Sequence, residues 1–111
     1  MLPKSNRLVA DKEIKLVYFS KFRNKSKYWT IITRKDKLQL KFKFLVVISK
    51  KIAKRSNVRN QIRRRITTIV KNFNISSHYS IILQVQNSTI IKLKFEELQD
   101  QLQQTLVPIL K

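Results

Sequence analysis

Eight of the 17 residues from Ser49 to Arg65 are Lys or Arg, and none is acidic. The cations are Lys50, Lys51, Lys54, Arg55, Arg59, Arg63, Arg64 and Arg65, with Asn60 among them. Groups of this kind at this density hold phosphates, and Arg does so with two parallel N–H donors. The inventory for bond-breaking is thin. The acids are Asp11, Glu13, Asp36, Glu96, Glu97 and Asp100, so residues 37–95 carry none. A nuclease that cuts by its own means gathers carboxylates around metal ions or uses His as acid and base. Glu96 and Asp100, four apart, fit a solvated helix face. Asp11 and Glu13 fit a helix start, whose positive end they favour. His78 is the sole His, at a loop–strand boundary, and Cys is absent. The residue types argue for binding and against self-contained catalysis.

The charge of the whole chain agrees. Twenty-five Lys and Arg against six acids leave +19 on 111 residues. A small body with that charge repels itself and belongs beside a polyanion, nucleic acid first and an anionic membrane surface second. Genome-wide base bias explains abundant Lys, Ile and Asn better than it explains the run of Arg. A membrane-surface helix would expose large apolar residues opposite its cations; here the apolar residues are needed for a core. No run approaches the ~20 apolar residues of a membrane span, and the first residues lack a signal-type apolar stretch. The expectation is one soluble, intracellular domain over residues 1–111.

Elements must position these cations. Val58, Ile62, Ile66, Ile69, Val70 and Phe73 recur at spacings of three and four, which predicts a helix from Ser56 or Asn57 to about Phe73 with one face in a core. On that helix Asn60, Arg64, Thr67 and Lys71 lie opposite the apolar stripe, and Arg63 and Arg65 flank it. Arg59 falls on the edge of the apolar arc and is tolerable only in the first turn. Before it, Leu38, Leu40, Phe42 and Phe44 alternate with polar residues, which predicts a strand from Leu38 to Ile48. A strand is also predicted over 28–34 and another from Tyr79 to Val85, with Thr89 to Lys94 as a possible extension of the sheet. Helices are predicted over 11–22, capped by Asp11, and from Phe95 to about Leu106, stopped by Pro108. Asn24-Lys25-Ser26 reads as a loop, and Asn is the residue expected to take positive φ in a chain without Gly. The first ten residues form an arm that Leu2, Pro3, Leu8 and Val9 can pin. A strand joined to a later strand through the basic helix implies a βαβ crossover and a mixed sheet. Since a strand precedes the basic helix, a helix-turn-helix reading is disfavoured. Single-stranded nucleic acid also needs stacking surfaces. Tyr18, Phe19, Tyr28 and Trp29 are the candidates, of which Tyr18 is preferred.

In this order the residues resemble the protein subunit of bacterial ribonuclease P. That family opens with Leu-Pro-Lys-x-x-Arg-Leu, here Leu2-Pro3-Lys4-Ser5-Asn6-Arg7-Leu8. Its first helix carries Asp-Phe-x-x-Val-Phe, here Glu13-Ile14-Lys15-Leu16-Val17-Tyr18. Ser-Lys-Lys matches Ser49-Lys50-Lys51, and the Arg-Asn-Arg-x-Lys-Arg-x-x-Arg hallmark matches from Arg59-Asn60-Gln61-Ile62-Arg63-Arg64, its last Arg falling at Thr67. Gln61 and Thr67 replace family Arg residues, and Ile14 replaces an aromatic. The resemblance implies a two-layer α/β (α+β) sandwich with three helices, a mixed four-stranded sheet and a left-handed βαβ crossover, as in the second domain of ribosomal protein S5. It implies a cytoplasmic subunit, one copy per RNA, that binds ribonuclease P RNA through the hallmark helix with Lys50 and Lys51. Precursor tRNA would place its single-stranded 5′ leader in a cleft to which Tyr18 and Phe42 are assigned. The RNA would hold Mg²⁺ and cleave the phosphodiester, so no catalytic or metal residue is assigned to the protein.

Overall fold

The computed structural model describes residues 2–107. The helices are α1 (Asp11–Tyr18), α2 (Ser56–Lys71) and α3 (Phe95–Leu106). The strands are β1 (Phe22–Lys25), β2 (Trp29–Lys35), β3 (Lys43–Val47) and β4 (Tyr79–Val85). They form one sheet in the order β1-β2-β4-β3. β2 is antiparallel to β1 and β4, and β3 is parallel to β4. This is the expected α+β architecture with a mixed four-stranded sheet and three helices. The expected stop at Pro108 lies outside the described residues.

Alternation along the strands divides the apolar residues between two faces. Trp29 and Ile31 of β2, Phe44 and Val46 of β3, and Ile81, Leu83 and Val85 of β4 pack with Ile62, Ile66, Ile69 and Val70 of α2 and Leu98, Leu102 and Leu106 of α3. This sandwich of sheet against α2 and α3 is the main core. On the other face Ile32 and Ile82 pack with Val17 of α1 and Leu8, bordered by Ile14, Tyr18, Leu45 and Val47. The stripe predicted on α2 is therefore the buried one, with Val58 and Phe73 half-buried at its ends.

Phe44 reveals the hand of the β3-α2-β4 crossover. Its carbonyl accepts from the Leu8 N–H on the edge away from β4, at 3.2 Å. Its side chain lies in the core under α2. With β3 pointing up and α2 toward the viewer, an L-residue whose side chain faces forward sends its N–H and C=O to the right. β4 thus lies to the left, and the crossover is left-handed, against the usual rule.

The structure departs from the sequence-based expectations in five respects. Strand β3 begins at Lys43, not Leu38, and the alternation before it is inverted. Leu38 and Leu40 are 89% and 90% exposed, while the polar Gln39 points inward. Its amide donates to the carbonyls of Ser77 and Tyr79 at 3.2 and 2.9 Å and accepts from Ser80 Oγ at 2.9 Å. Hydrogen bonding, not apolar burial, decides which side faces the protein here. Gln39→Ala will lower stability by about 1–3 kcal/mol, because half-buried partners lose their hydrogen bonds; a urea midpoint unchanged from the parent would refute this role.

Helix α1 ends at Tyr18, and residues 22–25 form the edge strand β1 instead of a helix end and loop. Ser20 makes the corner, donating from Oγ to the Thr33 carbonyl at 2.5 Å and accepting from the Phe22 N–H at 3.2 Å. Residues 88–92 form a 3-10 turn, not a further strand. Asn87 Oδ1 caps it, accepting from Thr89 N and Oγ1, and both edges of β4 are already taken by β2 and β3. Helix caps are also displaced. Ala10 and Arg55 occupy the cap positions of α1 and α2, without side-chain caps. Asp11 instead stands in the first turn of α1, where its charge still favours the positive end. Among the described residues none has positive φ, against the expectation for Asn, and the turn at Asn87 is made through its side chain.

Candidate nucleic-acid interface

The basic stretch divides into a junction and a helix face. After β3, Ile48 is buried and Ser49 accepts at its carbonyl from the N–H groups of Ile52 and Ala53, at 3.1 and 3.2 Å. That turn leaves Lys50, Lys51, Lys54 and Arg55 exposed. Arg59, in the first turn of α2, folds back on the junction: its Nη1 donates to the carbonyls of Ala53 and Lys54, both at 2.9 Å. It braces the junction and does not project freely. Arg65 is likewise engaged, donating to the carbonyls of Ile91 at 3.4 Å and of Leu93. It ties α2 to the segment before α3.

Asn60, Arg63 and Arg64 behave differently. They line a groove of about 380 Å³ together with Arg7, Leu8, Val9 and Thr67. Asn60 Oδ1 accepts from Arg63 Nη1 at 3.3 Å, which orients that guanidinium. Arg64 is exposed. Thr67 Oγ1 turns to the Arg63 carbonyl at 2.9 Å, clearing the groove wall of its own donor.

Arg7 was not among the sequence-predicted site residues. It reaches the groove because the arm wraps the β3 edge. Leu2 enters the core under α2, and Leu8 enters the core under α1. Arg7, between them, pairs with Phe44 and is held by an Nε bond to the Leu2 carbonyl at 3.0 Å. The opening motif that contains it was the available signal.

On the opposite face, Tyr18 is half-buried at the border of the α1 core. Phe42 packs on the α2 side of the sheet. The two residues assigned to one cleft are thus on opposite faces, because Phe42 shares the parity of Phe44 and Val46. The residues of β3 that do face Tyr18 are Lys43, Leu45 and Val47. Lys43 pairs with Glu13 at 2.7 Å and holds α1 to the sheet. Of the other stacking candidates, Trp29 is fully buried and Tyr28 half-buried, while Phe19 is exposed.

Only two ion pairs form among the described residues, Arg34–Asp36 and Lys43–Glu13. The remaining cations are uncompensated. Among the described residues no group of three His, Cys, Asp or Glu comes together. No helix among them is long and apolar enough to cross a membrane.

A basic α+β protein with an open groove lined by Arg7, Arg63 and Arg64 has the electrostatic footprint of a nucleic-acid-binding protein. The family model for ribonuclease P matches residues 2–109, and the chain belongs to that family. Its fold is similar to that of a Staphylococcus aureus ribonuclease P protein mutant with defective mRNA degradation activity, at a TM-score of 0.81 and 20% identity, covering 95% of this chain and 88% of that one. It is also similar to the Thermotoga maritima ribonuclease P protein, at a TM-score of 0.80 and 16% identity, covering 95% and 98%. A search of curated proteins finds no match. The chain is a protein subunit of the ribonuclease P ribonucleoprotein, an RNA-binding accessory of the endoribonuclease that matures the 5′ end of tRNA.

Proposed function

We propose that the groove of Arg7, Asn60, Arg63 and Arg64 seats the catalytic RNA, with Lys50, Lys51, Lys54 and Arg55 extending the contact along the junction. The observation that carries this is the convergence of three cations and an amide from two distant segments on one open groove. Arg59 and Arg65 act by shaping the surface and by adding to its field. The α1 face, with Tyr18, Leu45 and Val47, takes the 5′ leader of precursor tRNA. Phe42, on the other face, supports it only through the sheet. Mg²⁺ is held by the RNA and supplies the metal chemistry of cleavage. The protein neutralises phosphates that would otherwise repel substrate from catalytic RNA. One copy acts per RNA, in the cytoplasm.

Reconstitution tests the reading. Adding the chain to a cognate ribonuclease P RNA at low Mg²⁺ will raise cleavage of precursor tRNA, measured as 5′-leader release. Cleavage that stays at the level of the RNA alone would overturn it.

A further inference from the structure

We propose that the free edge of β1 docks an extended segment of a partner protein in which acidic and apolar residues alternate, added to the sheet as an antiparallel strand. β1 is an outer strand and all four of its residues are exposed. The turn after it fixes which of its backbone groups are free. The Ser26 N–H donates to the Trp29 carbonyl at 2.8 Å. Phe22 and Asn24 share the parity of Ser26, so in the antiparallel ladder they turn their N–H and C=O to β2. Arg23 and Lys25 turn theirs outward.

The two sides of this edge differ in chemistry. Phe22 stands opposite Thr33 and Asn24 opposite Ile31, on the side that α3 covers. Arg23 and Lys25 stand opposite Ile32 and Thr30, on the side of α1. On the α3 side a groove of about 440 Å³ opens beside the strand, lined by Phe22, Asn24, Ile31, Tyr79 and Thr105, with Lys35 over the Tyr79 ring. Phe22 is 73% exposed at its rim. The other side is cationic, and residues 14–35 contain seven Lys or Arg and no acid. An added strand alternates in the same way. Its residues opposite Arg23 and Lys25 meet cations, where opposite charge across strands is favourable. The residue between them points into the groove and meets apolar walls. The outward backbone groups supply the ladder bonds.

A plainer function for the charges is protection of an open sheet edge from pairing with another chain. A second copy brings the same cations to the edge and is repelled. The same charges select an acidic strand, and protection gives no reason for an exposed ring beside an apolar groove. Unpaired RNA offers phosphates to the cations but no row of N–H and C=O groups to complete the ladder, so the edge favours a polypeptide. The corner is also braced: Ser20 Oγ holds Thr33 and Phe22, and Arg23 Nη2 donates to the Tyr18 carbonyl at 2.6 Å. The edge is therefore set before a partner arrives, which lowers the ordering cost of binding.

The test is fluorescence anisotropy with the whole chain and a labelled peptide, Val-Glu-Val-Glu-Val-Glu-Val. N-methylation of its Glu residues keeps charge and side chains but removes the N–H groups that face Arg23 and Lys25. It will weaken binding about tenfold or more. N-methylation of its Val residues, whose N–H groups point away from the edge, will leave binding unchanged. The protein is the same in both arms, so no folding defect enters. Phe22→Ser will weaken binding of the unmethylated peptide about fivefold and leave the affinity for a labelled oligouridylate unchanged. Equal binding of the Glu-methylated peptide overturns the proposal, because charge alone then suffices. An equal loss of peptide and oligouridylate in Phe22→Ser overturns it in favour of RNA. A sedimentation coefficient that rises with protein concentration and falls when peptide is added overturns it in favour of a second copy.

Discussion

Replacing Arg63 and Arg64 together with alanine will weaken binding of ribonuclease P RNA by about a hundredfold or more, with the fold intact. Each guanidinium stands in the open groove, and a hydrogen bond to a charged group is worth about 1.5–3 kcal/mol. Two such contacts amount to two decades of affinity at the lower bound. The loss will shrink as salt rises, because the parent displaces more counterions from the RNA on binding than the variant does and so loses affinity faster as salt is added. Filter binding across a salt series measures both effects, and an unchanged slope would refute the phosphate contacts. Arg59→Ala gives the contrast. Its guanidinium is spent on the Ala53 and Lys54 carbonyls, so its removal will loosen the junction and reduce stability by about 1–3 kcal/mol. Its effect on RNA affinity will be smaller than that of Arg63 and Arg64.

Trp29→Ala will cost about 3–5 kcal/mol of stability, the range for deleting a buried aromatic. Trp29 is fully buried at the start of β2, in the core that α2 and α3 cover. The loss is a large share of the 5–15 kcal/mol that a domain typically has, so the variant will be partly unfolded near physiological temperature. A chemical denaturation midpoint within error of the parent would show that the core under α2 does not depend on this ring. Because α2 carries the groove, RNA binding will fall with folding in this variant, whereas in R63A/R64A it falls alone. That difference separates support from contact.

The apolar period of α2 was legible because 3.6-residue spacing over four turns leaves no other placement for Ile62, Ile66 and Ile69. The β4 alternation was legible for the same reason. The stretch from Leu38 to Phe44 has an equally regular alternation and was misread. Period two says that neighbours face opposite ways, but not which way faces the protein. Gln39 turns inward because Ser77, Tyr79 and Ser80 offer it partners some 40 residues away in sequence. The same parity argument, followed from Phe44, would have placed Phe42 on the face away from Tyr18. β1 went unseen because Phe22-Arg23-Asn24-Lys25 has no apolar alternation; it is a strand only because β2 offers its edge.

By itself the sequence determined the charge, the stripe that binds α2 to a core and the lack of residues for bond cleavage. Those are properties of residue types and of local spacing. The tertiary structure decided which cations are free. The helical wheel set Arg59 apart at the edge of the apolar arc but placed Arg65 beside the stripe just as it placed Arg63, and only the fold shows that carbonyls of the junction and of the segment before α3 take up the donors of Arg59 and Arg65. Arg7 joins the groove because Leu2 and Leu8 are buried on opposite faces of the sheet and draw the arm across the β3 edge. A guanidinium bonds whatever acceptor folding brings to it, and acceptors tens of residues away are set by topology alone.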